Sequence, residues 1–220
     1  MTDHPAEDAL RRAERERDAA LARLRTLEDE RDVQAREALR HLRNMLSVVR
    51  ALAARTAEET QAVDDFRAVF DARLTAFARV QSAIARDVDA GIDLGAILDD
   101  ELLSFGPGVG ERVEISGEPV RITSRAAGLL ALAVHEIVAR FAIGRESAAA
   151  RAIWSVADGL TIDWFQPIGP ERDWEPLPDW VRQAVAYELK GRVSEERSNG
   201  EFRCRIELPP GAYFGSSRSS

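Results

Sequence analysis

A long stretch without a helix breaker constrains this chain more than any other feature. From Pro5 to Arg36 there is no glycine and no further proline, and the residues are mostly Ala, Glu, Arg and Leu. No breaker separates this run from Leu39, so the sequence predicts one helix from near Glu7 to near Ala57. At 1.5 Å per residue such a helix is about 75 Å long. It protrudes from any compact domain, and the protruding half needs a partner. Leu10, Ala13, Ala20, Leu24 and Leu27 mark a narrow seam that Arg17 and Arg31 interrupt, which makes a marginal coiled coil.

Further along the same helix, in LRHLRNMLSVVR (Leu39 to Arg50), the apolar residues return on one stripe. Leu39, Leu42, Leu46, Val49 and Ala53 recur at spacings of three and four. Arg40, His41, Arg43, Asn44 and Ser47 lie on its flanks and back. A second helix, from about Thr60 to Val88, repeats the pattern with Phe66, Val69, Phe70, Leu74, Phe77, Val80, Ala83 and Ile84. Two amphipathic helices joined by a short polar link read as a helical hairpin. A hairpin cannot hide two apolar stripes by itself, so it should pair with a second copy or with the domain that follows.

That following part changes character. Asp87 to Gly91 is a turn, and Asp93 is a candidate N-cap for a short helix to Leu103. FGPGVG (Phe105 to Gly110) reads as a loop. Val113 to Ile115 and Val120 to Ile122 alternate around Gly117 to Pro119, which predicts a hairpin of short strands. Ser124 is placed to cap a largely buried helix from Arg125 to about Ile143. Ala152 to Val156 and Leu160 to Trp164 form a strand pair around Asp158-Gly159. The segment Gln166 to Pro178 is proline-rich and irregular, Asp179 to Leu189 is a helix ended by Gly191, and Glu201 to Leu208 is the last strand. A tail over 210–220 should be disordered. Helices followed by a mixed sheet layered with helices is an α+β pattern.

Composition narrows the function classes. With 220 residues the chain suffices for one ordinary domain plus an extension. A net charge of −8 and a pI near 5.1 argue against a nucleic-acid-binding surface. The basic cluster Arg11 to Arg17 is interleaved with acids and reads as a solvated helix face. Cys204, the single cysteine, excludes an internal disulfide and sits in an alternating strand pattern as an inert core thiol. No apolar run approaches the roughly twenty residues that span a bilayer, and the acidic N-terminus is not a signal peptide. The expectation is a cytoplasmic protein with no membrane partner.

The order of parts resembles a transmitter region of a sensor histidine kinase, and local motifs narrow the resemblance to the HWE class. RHLRNMLSVVR (Arg40 to Arg50) is similar to the HRxKNxLAxVQ of that class, and FRAVFDARLTAFARVQ (Phe66 to Gln81) to its FxxxFxxRLxALARxH. VHEIVARFAIG (Val134 to Gly144) resembles the HELxxNAxKYG region, and WFQPIGP (Trp164 to Pro170) resembles WxExGGP. The likeness runs over residues 35–209. It implies a coiled-coil signal helix over 1–36, a dimerising and phosphoacceptor-like hairpin over 37–90, and an ATPase-like α/β sandwich over 91–209.

Departures from these patterns carry the functional reading. Aligned without a gap, the phosphoacceptor histidine of the family falls on Arg40, and His41 takes the position after it. A guanidinium stays protonated and cannot accept a phosphoryl group. His41 serves as acceptor if the chain accommodates a one-residue shift, and is otherwise a polar surface residue. The resemblance gives Glu136, beside His135, the place of a general base, now vestigial. It puts Arg140 where an asparagine would hold Mg²⁺, and a cation there repels the metal and offers no oxygen. Trp164 and Gly169 remain of the fourth motif, while Gln166 and Ile168 replace its glutamate and first glycine. No glycine-rich lid follows, since Leu177 to Val185 contains no glycine.

The expectation is therefore a two-component signalling protein with a degenerate ATP site, no cofactor and no metal. It would dock, or exchange phosphate with, the receiver domain of a response regulator through Arg40, His41, Arg43, Asn44 and Ser47. His135, Arg140, Trp164 and Gly169 would be remnants of a nucleotide site, with ATP and Mg²⁺ expected only if the chain is an active kinase. A non-enzymatic coiled-coil adaptor is the other alternative. A homodimer through Leu42, Leu46, Val49, Phe70, Leu74 and Phe77 would bury the hairpin stripes.

Overall fold

The computed structural model describes residues 4–84, 91–143, 149–169 and 176–214. Helix α1 (His4–Glu59) is continuous over 56 residues, as the absence of breakers requires. The chain divides into two compact units, 1–54 and 55–220, with the division inside α1. In the first unit Leu21, Leu24, Leu27, Val33, Leu39, Leu42 and Leu46 are all exposed.

The second unit holds the other elements. Thr60 closes α1 by donating from its amide and its hydroxyl to the Thr56 carbonyl, at 3.1 and 2.7 Å. Helix α2 (Val63–Ile84) starts with Asp64 and Asp65, whose charges suit the positive end of the helix. The expected extension of α2 to Val88 lies outside the described residues. Strand β1 (Ile92–Asp93) leads into α3 (Leu94–Ser104), and the Asp93 carboxylate accepts from the Ala96 amide at 3.0 Å. That is the N-cap expected of it. The stretch read as a loop contains a single helical turn, α4 (Pro107–Gly110). Then come β2 (Val113–Gly117), β3 (Arg121–Ile122) and the buried helix α5 (Ser124–Ile143). The Thr123 carbonyl accepts from Ala126 and Ala127, so Ser124 is the first residue of α5 rather than the residue before it. Strands β4 (Ala150–Val156) and β5 (Leu160–Pro167), helix α6 (Asp179–Glu188), and strands β6 (Arg192–Ser198), β7 (Glu201–Leu208) and β8 (Tyr213–Phe214) complete it.

The main sheet has the order β2-β4-β5-β7-β6, with β2 parallel to β4 and all other pairs antiparallel. Leu98, Val134 and Ile137 from α3 and α5 meet Ile162, Trp164, Cys204 and Ile206 from its inner face. On the outer face Asp163 accepts the forks of Arg203 and Arg205 at 2.8–3.1 Å, and Arg151 pairs with Glu201 at 3.2 Å. This charge-compensated face explains how one side of an antiparallel sheet stays in water.

Three readings of the sequence need correction. The strands around Gly117 to Pro119 are not a hairpin: β2 joins the main sheet, whereas β3 lies between β1 and β8 in a second, three-stranded sheet. Trp154 holds the link, because its indole N–H donates to the Glu118 carbonyl at 2.7 Å and its ring covers Gly117. Strand β6 was absent from the sequence reading. The segment expected as a disordered tail carries Tyr213 and Phe214 paired with Ile122 and Arg121, while residues 215–220 lie outside the described part.

Phe77 also has a different use from the one expected. It is buried within the second unit, and α2 crosses α5 so closely there that a Cβ on Gly128 would lie 2.8 Å from the Phe77 ring.

Candidate functional site

The residues of the basic face sit on α1. Arg40, His41, Arg43, Asn44 and Ser47 are all exposed. Advancing about 100° per residue, Arg40, Arg43, Asn44 and Ser47 fall within one arc of about 100°, with His41 about 60° beyond Asn44. The arc borders the stripe of Leu39, Leu42 and Leu46, its centre about 120° from theirs. Arg40 approaches Glu37 at only 3.7 Å with both side chains exposed, and the Ser47 hydroxyl donates to the Arg43 carbonyl at 2.9 Å. The face therefore presents two guanidinium groups, an imidazole and an amide to solvent.

The second group of residues lies on α5, and its surroundings were not legible from its own motif. Glu136 is buried, and both its carboxylate oxygens accept from arginines. Arg73 Nε donates to one oxygen at 2.6 Å, and Arg140 donates to the other at 2.8 Å as well as to the Glu136 carbonyl. Arg73, itself 3% exposed, also donates to the Thr56 hydroxyl at 2.9 Å and to Glu59 at 2.7 Å, and lies over the Trp180 ring. Burial alone would raise the Glu136 carboxyl. Hydrogen bonding to Arg73 and its charge, followed by those of Arg140, outweigh that and hold it below the ordinary glutamate value.

His135 faces a different acid. Its Nδ1 lies 2.6 Å from Glu101 Oε1, its ring packs against Phe105, and Glu101 is in turn paired with Arg79 of α2. Glu101 is 2% exposed.

The remnants of the fourth motif are packed rather than open. Trp164 is buried edge-on to Phe141, and its indole N–H donates to Gln166 Oε1 at 2.8 Å. Since indole N–H is only a donor, the oxygen of Gln166 is the atom facing it. Gly169 is half-buried after Ile168, whose amide donates to the Gly200 carbonyl at 2.8 Å. Gly144 and Pro170 lie outside the described residues. Among the described residues, no group of three or more His, Cys, Asp or Glu side chains is placed to hold a metal ion. No described helix is long and apolar enough to cross a membrane.

Arg73, Arg79 and Glu101 were missed as site residues, although a signal exists. Phe66, Phe70, Arg73, Phe77, Val80 and Ile84 recur at alternating spacings of four and three, which puts Arg73 in phase with the apolar stripe. Glu101 is likewise in phase with Leu94, Ile97 and Leu98. A charge in an apolar stripe announces a buried partner.

With this geometry in place, the relatives can be named. Residues 37–119 match the family model described as HWE histidine kinase. Over that stretch the chain resembles an HWE-type histidine kinase region. That region takes in the basic face of α1, Arg73 and Arg79 of α2, and Glu101. The solved blue-light activated histidine kinase of Erythrobacter litoralis EL346 is similar to this chain at 18% identity and a TM-score of 0.52, over 64% of this chain and 53% of that one. The chain thus spans about half the length of that kinase. The histidine kinase domain of the same protein is similar at 16% identity and a TM-score of 0.52, over 77% of this chain and 85% of that one. At these identities the likeness is one of fold: helices and a mixed sheet arranged as in a histidine kinase ATPase domain, with a long N-terminal helix before them. No curated protein matches the chain.

Proposed function

We propose that this chain is a two-component signalling protein that docks, or exchanges phosphate with, a receiver domain of a response regulator, and that its ATPase-like sandwich does not use Mg-ATP. The observation that carries the second half is Arg140. It stands at the motif position of the metal-holding asparagine, and its guanidinium is 2.8 Å from the carboxylate of Glu136. The donor set there does not suit a nucleotide-bound Mg²⁺. It offers a fixed cation in place of an oxygen ligand, and a glutamate whose oxygens both accept from arginines. The basic face of α1 supports the first half. A receiver presents carboxylates around its phosphorylatable aspartate, and Arg40, Arg43, Asn44 and Ser47 answer them with exposed donors. The chain acts as a homodimer in this reading.

Adding millimolar Mg-ATP to the full chain should leave the thermal midpoint unchanged, because a ligand stabilises in proportion to the logarithm of its excess over the dissociation constant. A shift of several degrees that Glu136→Ala abolishes would favour an active kinase instead. A phosphorylated receiver supplied as donor separates the two modes of the first half. If His41 is the acceptor, His41→Ala abolishes transfer and leaves docking nearly intact. If the face only docks, Arg40→Glu with Arg43→Glu should weaken receiver binding by about tenfold or more, and added salt should weaken it too. Unchanged binding of every receiver after both reversals would leave the adaptor reading.

A further inference from the structure

An arginine in the apolar stripe of a helix is tolerated only where its whole donor set is satisfied. Helix α2 carries one such residue, Arg73, and a second arginine, Arg79, six residues on. Arg73 reaches Glu136 of α5 at 2.6 Å, and Arg79 pairs with Glu101 of α3, which holds His135 of α5 at 2.6 Å. Both contacts join parts distant in sequence, and both acids are less than 5% exposed. The two arginines come from the second of the four sequence motifs, and Glu136 and His135 from the third. The charges of the first cluster balance, with Arg73 and Arg140 against Glu136 and Glu59.

We propose that Arg73 and Arg79 form a two-point polar clasp that fixes α2 on α3 and α5 in a single register, with Glu136 and His135–Glu101 as its receiving sites. Apolar packing fixes part of this register, where the Phe77 ring lies against Gly128 with no room for a Cβ. A one-residue slide of α2 loses that fit. The same slide strips a buried guanidinium from a buried carboxylate. In a clasped chain α2 belongs mechanically to the sandwich, although its sequence pattern is that expected of the second helix of a hairpin. Any event that moves α2 over α5 must first break both ion pairs. The clasp also gives Glu136 a use in a chain that does not handle nucleotide, and it holds whether or not phosphate reaches His41.

Hydrogen exchange of the full chain, read by peptide, tests this. Arg73→Met and Arg79→Met should each speed exchange of the amides in residues 73–84 by about tenfold or more, with β5 and β7 unchanged, as expected of local opening. Arg73→Lys, which keeps a cation facing Glu136, should retain part of the protection that Arg73→Met loses. Equal acceleration in α2 and in β5 and β7 would overturn the clasp, since the arginines would then contribute only to global stability. So would unchanged exchange in α2, or an Arg73→Lys variant no better protected than Arg73→Met. Should Arg73→Met fail to fold, Arg79→Met decides by the same comparison, because its side chain is 31% exposed and the change leaves the deeper cluster intact.

Discussion

Glu136 and Arg73 illustrate how a buried charge pair is worth most when one partner is taken away. Glu136→Gln leaves Arg73 facing a weaker acceptor and should cost about 3–5 kcal/mol of folding free energy, seen as a lower urea midpoint. The pair also sets a pH dependence. The folded-state value of Glu136 lies below the ordinary 4.5, so its stabilisation is complete above that pH and is lost as pH falls through the depressed folded value. Acid titration of the wild type should therefore show a steeper loss of stability below pH 4.5 than titration of Glu136→Gln. Cys204 was legible in advance: an alternating strand placed it inside, and burial pushes its thiol up. It should react with an alkylating reagent only after denaturation. The partners of Glu136 were less legible, because one motif names the acid and another names the arginine, and 63 residues separate them. Periodicity locates a charge in a stripe, but it does not say which distant element will face it.

Elements with a strong period were readable, and elements whose place depends on another chain segment were not. The breaker-free helix, the Asp93 cap, the β4–β5 pair around Asp158-Gly159 and the inward alternation of β7 follow from local sequence. Strand β6 reads RVSEERS, with Val193 its one apolar residue, as suits an edge strand paired only with β7. Its signal lay in the turn. Asn199 and Gly200 have φ of 53° and 77°, the conformation that Asn-Gly supplies to a two-residue hairpin. Gly200→Ala should cost about 1–2 kcal/mol through backbone strain alone, since its added Cβ meets nothing closer than 3.9 Å. Gly117 makes the opposite test. A Cβ there would lie 2.3 Å from the Trp154 ring, so Gly117→Ala must displace the indole that anchors Glu118. Its cost should be about 1–3 kcal/mol by overpacking. The mistaken hairpin at this place was a failure of the same kind: alternation identified two strands, but the indole that sends them to different sheets comes from β4.

At the scale of the whole molecule the two amphipathic stripes have different fates. The later part of the α2 stripe is spent within the second unit, where Phe77, Val80 and Ile84 are buried, while Phe66, Phe70 and Leu74 are half-buried. The stripe of α1 is not: Leu39, Leu42 and Leu46 are 52%, 49% and 63% exposed. Exposed leucines continued along one helix by Leu21, Leu24 and Leu27 call for a partner surface, and a second copy of the same helix offers a matching one. The homodimer should therefore depend on Leu42 and Leu46 and not on Phe77. Light scattering at tens of micromolar should give a dimer for the wild type and a shift toward monomer for Leu46→Glu. The melting of the sandwich should barely change in that variant, because Leu46 lies in the other compact unit. Phe77→Ala should do the reverse. It empties a core position beside Gly128, lowers stability by about 3–5 kcal/mol, and leaves the mass of the folded species that of a dimer. A monomeric wild type, or a Leu46→Glu variant with unchanged mass, would mean that the α1 stripe serves another partner. Dissociation of a still-folded Phe77→Ala would put the dimer contact on α2 after all.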